Sequence, residues 1–422
     1  MSQHSRAHTF LCRFGSPVLL ATLLAGVACH DVTPTAPPAS STAPPPTADL
    51  LSTIGTVGEP LRLLTADQLV LFERGSGVFQ AVFTPETGLG PLFNSTGCAG
   101  CHESPVVGGG GGDPAEEGAE DVEIHATSFE GGVCDNLSAT GGPVVQQQVT
   151  PALRDASGIE AEPVPAGATA TARRTTPDLL GFGLLDAVPA AEILAFADPF
   201  DLNGDGISGR PNRTPDGRLG RFGRKAQVAT LREFNTEAFV MEMGITNPGL
   251  QTEQTVGREP LPLGVDPTPE PEVSQDNFDA ADAFVRFLAP PRPQPLDLIG
   301  QVGAFTFLGI GCASCHVPVL VTGPHPVGAL SLRVVPVYSD LLLHNMGPAL
   351  ADICLGRARP AEFRTEPLMG LRFATAFLHD GRAATIDDAI ALHGGEGAAS
   401  RNRFLRLSAF ERYALLRFLR SL

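Results

Sequence analysis

The sequence predicts a mainly α protein with long loops, in which one structural plan is used twice. Three observations predict it. The motif CAGCH at Cys98, Cys101 and His102 returns as CASCH at Cys312, Cys315 and His316. Each motif follows an apolar stretch at helical spacing, and each unit closes with a second helical stretch. A Cys-x-x-Cys pair alone fits a redox disulfide or half a zinc site. The histidine directly after the second cysteine selects c-type heme attachment, with two thioether bonds and an adjacent imidazole for the iron.

In chain order, Arg6 and Arg13 flank the start of an apolar run, VLLATLLAGVA, that ends at Ala28 before Cys29. The run is too short to span a bilayer and reads as a signal peptide over residues 1–29. Gly-Val-Ala-Cys resembles a lipoprotein signal, which would lipidate Cys29 and place the protein in the periplasm, anchored to the outer membrane. Plain cleavage is the other reading. Residues 30–60 are rich in Pro, Ser, Thr and Ala and read as a tether.

Residues 61–292 form the first unit. TADQLVLFERGSGVFQAVF places Leu69, Phe72, Val78 and Phe79 on one apolar face, and DNFDAADAFVRFLAPP closes the unit at Pro290 and Pro291. Residues 293–422 form the second, opened by LDLIGQVGAFTFLGIGC and closed by LSAFERYALLRFLRSL, where Ser408 and Glu411 fit a capping box. Helix, heme motif, loops and closing helix is the plan of a cytochrome c-type domain, so two such domains are expected, each with one heme. Between its motif and its closing helix the first carries an insertion, with GGGGGD from Gly108, acidic EEGAED and a Pro/Ala-rich stretch, expected to be mobile loops.

Eight cysteines divide into Cys12 and Cys29 in the signal, four in the motifs, and Cys134 with Cys354. The last two fit one disulfide of an exported protein or two free thiols. DLNGDGISGR sets Asp201, Asn203 and Asp205 at alternating positions before Gly206, like the start of a calcium loop, but Asn212 stands where the bidentate glutamate belongs. A bound Ca2+ and a self-bonded Asx turn are both open. The net charge of −17, without a basic block, argues against nucleic acid and anionic membrane surfaces. Membrane contact is expected only through the lipid anchor.

GPLFNSTGCAGCH, LGFGLLDAVP, MEMGITNP, SDLLLHNMGPALAD and LHDGRAATIDDAI together resemble the di-heme oxidoreductase family, relatives of di-heme cytochrome c peroxidases and of MauG. The resemblance runs from about Leu61 onward. It implies an enzyme that reduces hydrogen peroxide, or acts on another small substrate, at the N-terminal heme. A redox protein would feed electrons through the C-terminal heme. It assigns Glu242, in MEMG, the role of acid at the peroxide site, against the alternative of a solvated helix carboxylate. It also places Phe234 where the family has glutamine and Phe222 where it has the inter-heme tryptophan. The family's second-heme ligand follows the HDG histidine at a fixed interval, as methionine or tyrosine. The same interval from His379 reaches His393, with Met346 or His344 as the next candidates and a helix-end histidine as the plain reading. The competing function class is a di-heme electron carrier without substrate chemistry.

Overall fold

The computed structural model describes residues 55–112 and 122–422. The signal, the tether up to residue 54 and the acidic stretch of the insertion lie outside the described residues. Among the helices of the described residues, six position the sites: α1 (Ala66–Phe79), α2 (Leu231–Met243), α3 (Gln275–Phe287), α4 (Leu298–Gly309), α5 (Ile386–Leu392) and α6 (Ala409–Leu419). Caps fix where they start. Thr65 and Gln68 form a capping box on α1, Thr230 and Glu233 on α2, and Ser408 and Glu411 on α6.

The first motif's leading helix, α1, packs on α3, and the second's, α4, packs on α6. Both crossings use the same device. A Cβ added to Gly75 would lie 1.9 Å from the Ala280 carbonyl oxygen, and one added to Gly303 would lie 2.0 Å from that of Ala414. Only glycine lets the backbones come this close. Aromatic rings brace each crossing, with Phe72 and Phe79 on Phe284, and Phe307 on Phe418. The buried face of α1 is Phe72, Gly75 and Phe79. Leu69, placed on that face by its spacing, is 37% exposed, because the glycine crossing rotates it outward.

The insertion differs from the loops expected of it. It carries an antiparallel sheet in which β1 (Val122–Glu130) pairs with β2 (Val133–Asp135), β3 (Val144–Val145) and β4 (Ala170–Thr175). Alternation along β1 puts Glu123 and His125 on one side of the strand. Cys134 and Cys354 form a disulfide across a sequence separation of 220, which settles the pairing and ties this sheet to the second half. Beside it, Asp352 forms ion pairs with the buried Arg174 of β4 and with Lys225 (3.0 Å).

The largest core cluster draws on both halves, from Phe79, Leu185 and Phe284 to Leu320, Leu342 and Met369. Two further short strands, β5 (Leu343–Asn345) and β6 (Glu362–Arg364), pair antiparallel with His344 opposite Phe363. Among the described residues, no helix is long and apolar enough to cross a membrane.

Candidate functional site

Each CxxCH motif folds into a short 3-10 turn, Cys98–Gly100 and Cys312–Ser314. The turn brings the histidine N–H back onto the first cysteine's carbonyl, at 3.0 Å for His102 and 2.9 Å for His316. Two thiols and an imidazole therefore reach one cavity from five consecutive residues.

The first cavity, of about 80 Å3, is lined by Cys98, Cys101 and His102 together with Phe79, Phe239, Glu123 and Glu242. His102 Nδ1 sits 3.0 Å from the Gly109 carbonyl oxygen. As the donor to that carbonyl, Nδ1 carries the proton and leaves Nε2 as the basic nitrogen, which is how heme-binding histidines are oriented. Glu242 comes from the last turn of α2. Its Oε2 accepts a 2.8 Å bond from Asn94 Nδ2, and its carbonyl accepts from the Asn94 and Ser95 N–H groups.

Withdrawal from water pushes the Glu242 carboxyl well above its ordinary range, the negative charge of Glu123 adds to this, and the Asn94 bond works against it. Glu123 behaves oppositely. Burial resists its charge, but a 2.7 Å bond to His125, with the charges of His125, His102 and Arg174, brings its carboxyl below the usual value. Two carboxyls at one cavity, their pKa values pushed apart in opposite directions, is the arrangement from which proton donors are made.

The second cavity, of about 340 Å3, is lined by Cys312, Cys315 and His316 and by Met346, His379 and His393. His316 Nδ1 is 3.0 Å from the Tyr338 carbonyl oxygen, the counterpart of the His102–Gly109 bond. His393 caps the C-terminal end of α5, and its Nδ1 is 2.7 Å from the Ala389 carbonyl oxygen. Both rings thus keep Nε2 for the cavity. Burial, with His393 close by, brings His316 down to about 4, which keeps it a neutral imidazole.

His344 borders the same cavity but has no nitrogen to spare. Nε2 meets Asp340 Oδ2 and Nδ1 meets Glu396 Oε2, each at 2.8 Å. Although burial opposes its charge, these partners raise it well above the usual histidine value. An imidazole with both nitrogens bonded to carboxylates is not a metal ligand. His379 stacks on Phe363 with ring centroids 4.2 Å apart and lies 3.3 Å from Asp352, at the cavity's edge.

Of the other sequence candidates, Phe234 lines the first cavity, whereas Phe222, Asp201, Asn203 and Asp205 lie outside both. Phe222 packs in the core between Phe182 and Phe234, and Phe234 is the ring that reaches the first cavity. Thr176 lines both cavities. In the Asp201 loop, Asp201 accepts from the Gly206 N–H, Asn203 from that of Asp205 and Asp205 from that of Ile207. Asn212 is buried and bonds to the carbonyls of Lys225 and Leu355, so it serves the fold and not the loop. Carboxylates of Glu253, Asp266, Glu270 and Glu272 also converge, with oxygens within 4.8 Å of one another, a grouping spread too widely along the chain to be read from it.

The residues present fit covalently held heme better than the alternatives. The paired thiols of each motif are not joined to each other, whereas Cys134 and Cys354 are. Burial pushes Cys98 and Cys312 up to about 12, opposite to the lowered thiols of a redox Cys-x-x-Cys pair. Each site offers one imidazole beside its thiols and an apolar-walled cavity, with Phe79 and Phe239 at the first and Phe307, Leu371 and Phe377 at the second. A structural zinc site would need four converging ligands.

Residues 164–422 match the family described as "Di-haem oxidoreductase, putative peroxidase". No curated protein matches the chain. Among solved structures, hydrazine synthase from Kuenenia stuttgartiensis aligns at 13% identity and TM-score 0.38, over 97% of this chain and 100% of its own. The diheme peroxidase BthA from Burkholderia thailandensis E264 aligns at 17% identity and TM-score 0.38, over 88% and 92%. A MauG-like protein associated with microbial copper homeostasis aligns at 17% and 0.30, over 56% and 90%.

Proposed function

We propose that this chain, which belongs to the di-haem oxidoreductase family, is an exported enzyme reducing hydrogen peroxide at its first site. Electrons enter from a redox protein through the second site. The observation that supports this most is the placement of Glu242, a buried carboxyl bonded by Asn94, at the cavity of Cys98, Cys101 and His102. Heme held at both motifs, through Cys98 and Cys101 and through Cys312 and Cys315, would supply the one-electron chemistry that no side chain here provides.

The overall change is H2O2 plus two electrons and two protons to two waters. Glu242 holds a proton where the leaving oxygen needs one, and Asn94 fixes the direction of that carboxyl. Glu123 keeps its negative charge beside it and so favours the protonated form of Glu242. At the second site, His316 and His393 line one cavity from separate elements, each with Nδ1 at a backbone carbonyl, and both would hold a heme iron bound there, which would keep peroxide from it. The signal reading places the enzyme in the periplasm, tethered through a lipidated Cys29. The Cys134–Cys354 disulfide suits that oxidising compartment.

The carrier reading is favoured by one observation, that Met243 also lines the first cavity and carries a thioether able to close the iron. The test is a mass spectrum of the mature protein with a peroxide-consumption assay. Two heme additions that survive acid-acetone extraction, one lost with Cys98→Ala/Cys101→Ala, are expected together with turnover. Two hemes without turnover would select the carrier.

A further inference from the structure

His393 stands at the end of α5, where only two glycines separate it from Glu396. Those glycines lie flush on β5 and the residues after it. A Cβ on Gly395 would be 2.0 Å from the Asn345 carbonyl oxygen, and one on Gly394 would be 2.6 Å from that of Met346. Glu396 then closes the contact. Its Oε1 accepts from Ser208 Oγ (2.8 Å) and the Asn345 N–H (3.0 Å). Its Oε2 accepts from the Ser208 N–H (2.9 Å) and His344 Nδ1 (2.8 Å).

All four neighbours donate, so only a carboxylate satisfies them all. They come from three residues, all remote in sequence from α5. Ser208 ends the Asp198–Ser208 loop, closed by the Asp198 N–H on its carbonyl (2.7 Å). His344 and Asn345 belong to β5, and His344 is itself fixed by Asp340. On the other side, a Cβ on Gly397 would sit 3.2 Å from the His393 Cβ, so the imidazole is seated against the turn that Glu396 holds.

We propose that Glu396 is the positioning residue of the second site. Its four-donor clamp fixes the turn after α5 and thereby holds His393 in the cavity it shares with His316, where it would serve as a ligand to a heme iron. The inference rests on His393 being the ligand. Residues of this kind, which orient a ligand without touching the metal, change metal affinity or activity by about 10–100-fold when replaced. Glutamine is the informative replacement. Its NH2 group turns one oxygen site into a donor facing donors, and Asn345 N–H or His344 Nδ1–H loses its acceptor whichever way the amide points.

The test follows the ferric holoprotein. In Glu396→Gln, heme content and helical circular dichroism should match wild type, while cyanide binding at the second site speeds up about 10–100-fold. A high-spin signal should appear there, and added imidazole should return it to low spin. A general loss of structure would not be reversed by imidazole. Ser208→Ala, which deletes one of the four bonds outside the cavity, should shift the exchange rate in the same direction by less. Should Glu396→Gln fail to fold, Ser208→Ala decides alone. Exchange at the wild-type rate in the folded variants overturns the proposal. His393→Ala is the control. If it stays low-spin, the ligand assignment fails; if it turns high-spin while Glu396→Gln does not, only the role of Glu396 fails.

Discussion

Replacing Glu242 with glutamine removes a proton donor and little else. The side chain keeps its shape and its last-turn position on α2, and its backbone carbonyl still receives the Asn94 and Ser95 N–H groups. Loss of a general acid costs about two to four powers of ten in rate, or about 3–5 kcal/mol of barrier. The structure also dictates how the wild-type rate depends on pH. As a proton donor Glu242 would act in its protonated form, so turnover should be full below its raised pKa and fall as pH climbs through it. Two neighbours set that limb in opposite directions.

The 2.8 Å bond from Asn94 favours the ionised carboxyl. A bond to a charged acceptor is worth about 1.5–3 kcal/mol, and one pKa unit is about 1.4 kcal/mol. Asn94→Ala should therefore move the alkaline limb up. Glu123→Gln removes the like charge that disfavours ionisation and should move the limb down. The assay is steady-state peroxide consumption from pH 5 to 10 with heme content held equal. Wild-type turnover in Glu242→Gln would refute the assignment. Limbs that move together in the two neighbour variants would refute the electrostatic account.

Three further outcomes are expected. His393→Met should raise the potential of the second heme and bring in the near-infrared band of methionine-ligated ferric heme, read by redox titration and absorption. Cys134→Ser/Cys354→Ser should melt well below wild type, since a cross-link over a separation of 220 contributes up to about 5 kcal/mol through the unfolded chain. For the Asp201 loop, Asp201→Ala with Asp205→Ala should lower the melting temperature, because both carboxylates accept backbone N–H groups. If the loop also holds Ca2+, a chelator lowers the wild-type melting temperature and added calcium restores it; equal melting in chelator and calcium assigns the loop to its Asx bonds alone.

What could be read from the chain was local. Cys98 to His102 and Cys312 to His316 carry their chemistry within five residues, and Ser408 with Glu411 announces α6 within four. Glu242 and His393 were found only because neighbouring motifs resemble a family, since a carboxylate or an imidazole at a helix end has no signature of its own. The rest depends on tertiary contact. Glu123 and His125 stand in β1, which glycine-rich and acidic stretches precede, and their i, i+2 spacing means something only once that segment is a strand. Glu396 meets Ser208 across 188 positions, and Cys134 meets Cys354 across 220. Periodicity along α1 missed that Gly75 sets the crossing, and so Leu69 was placed on the wrong face.

The central claim is that the two sites differ, one closed by two imidazoles and one open beside a protonated carboxyl. Electron paramagnetic resonance of the protein, with the second heme reduced and then with both oxidised, tests it directly, with cyanide added in each state. The account predicts one low-spin heme that ignores cyanide and turns high-spin in His393→Ala, and one heme that binds cyanide when its partner is reduced. Two low-spin hemes that refuse cyanide in both states would contradict it and make the protein an electron carrier.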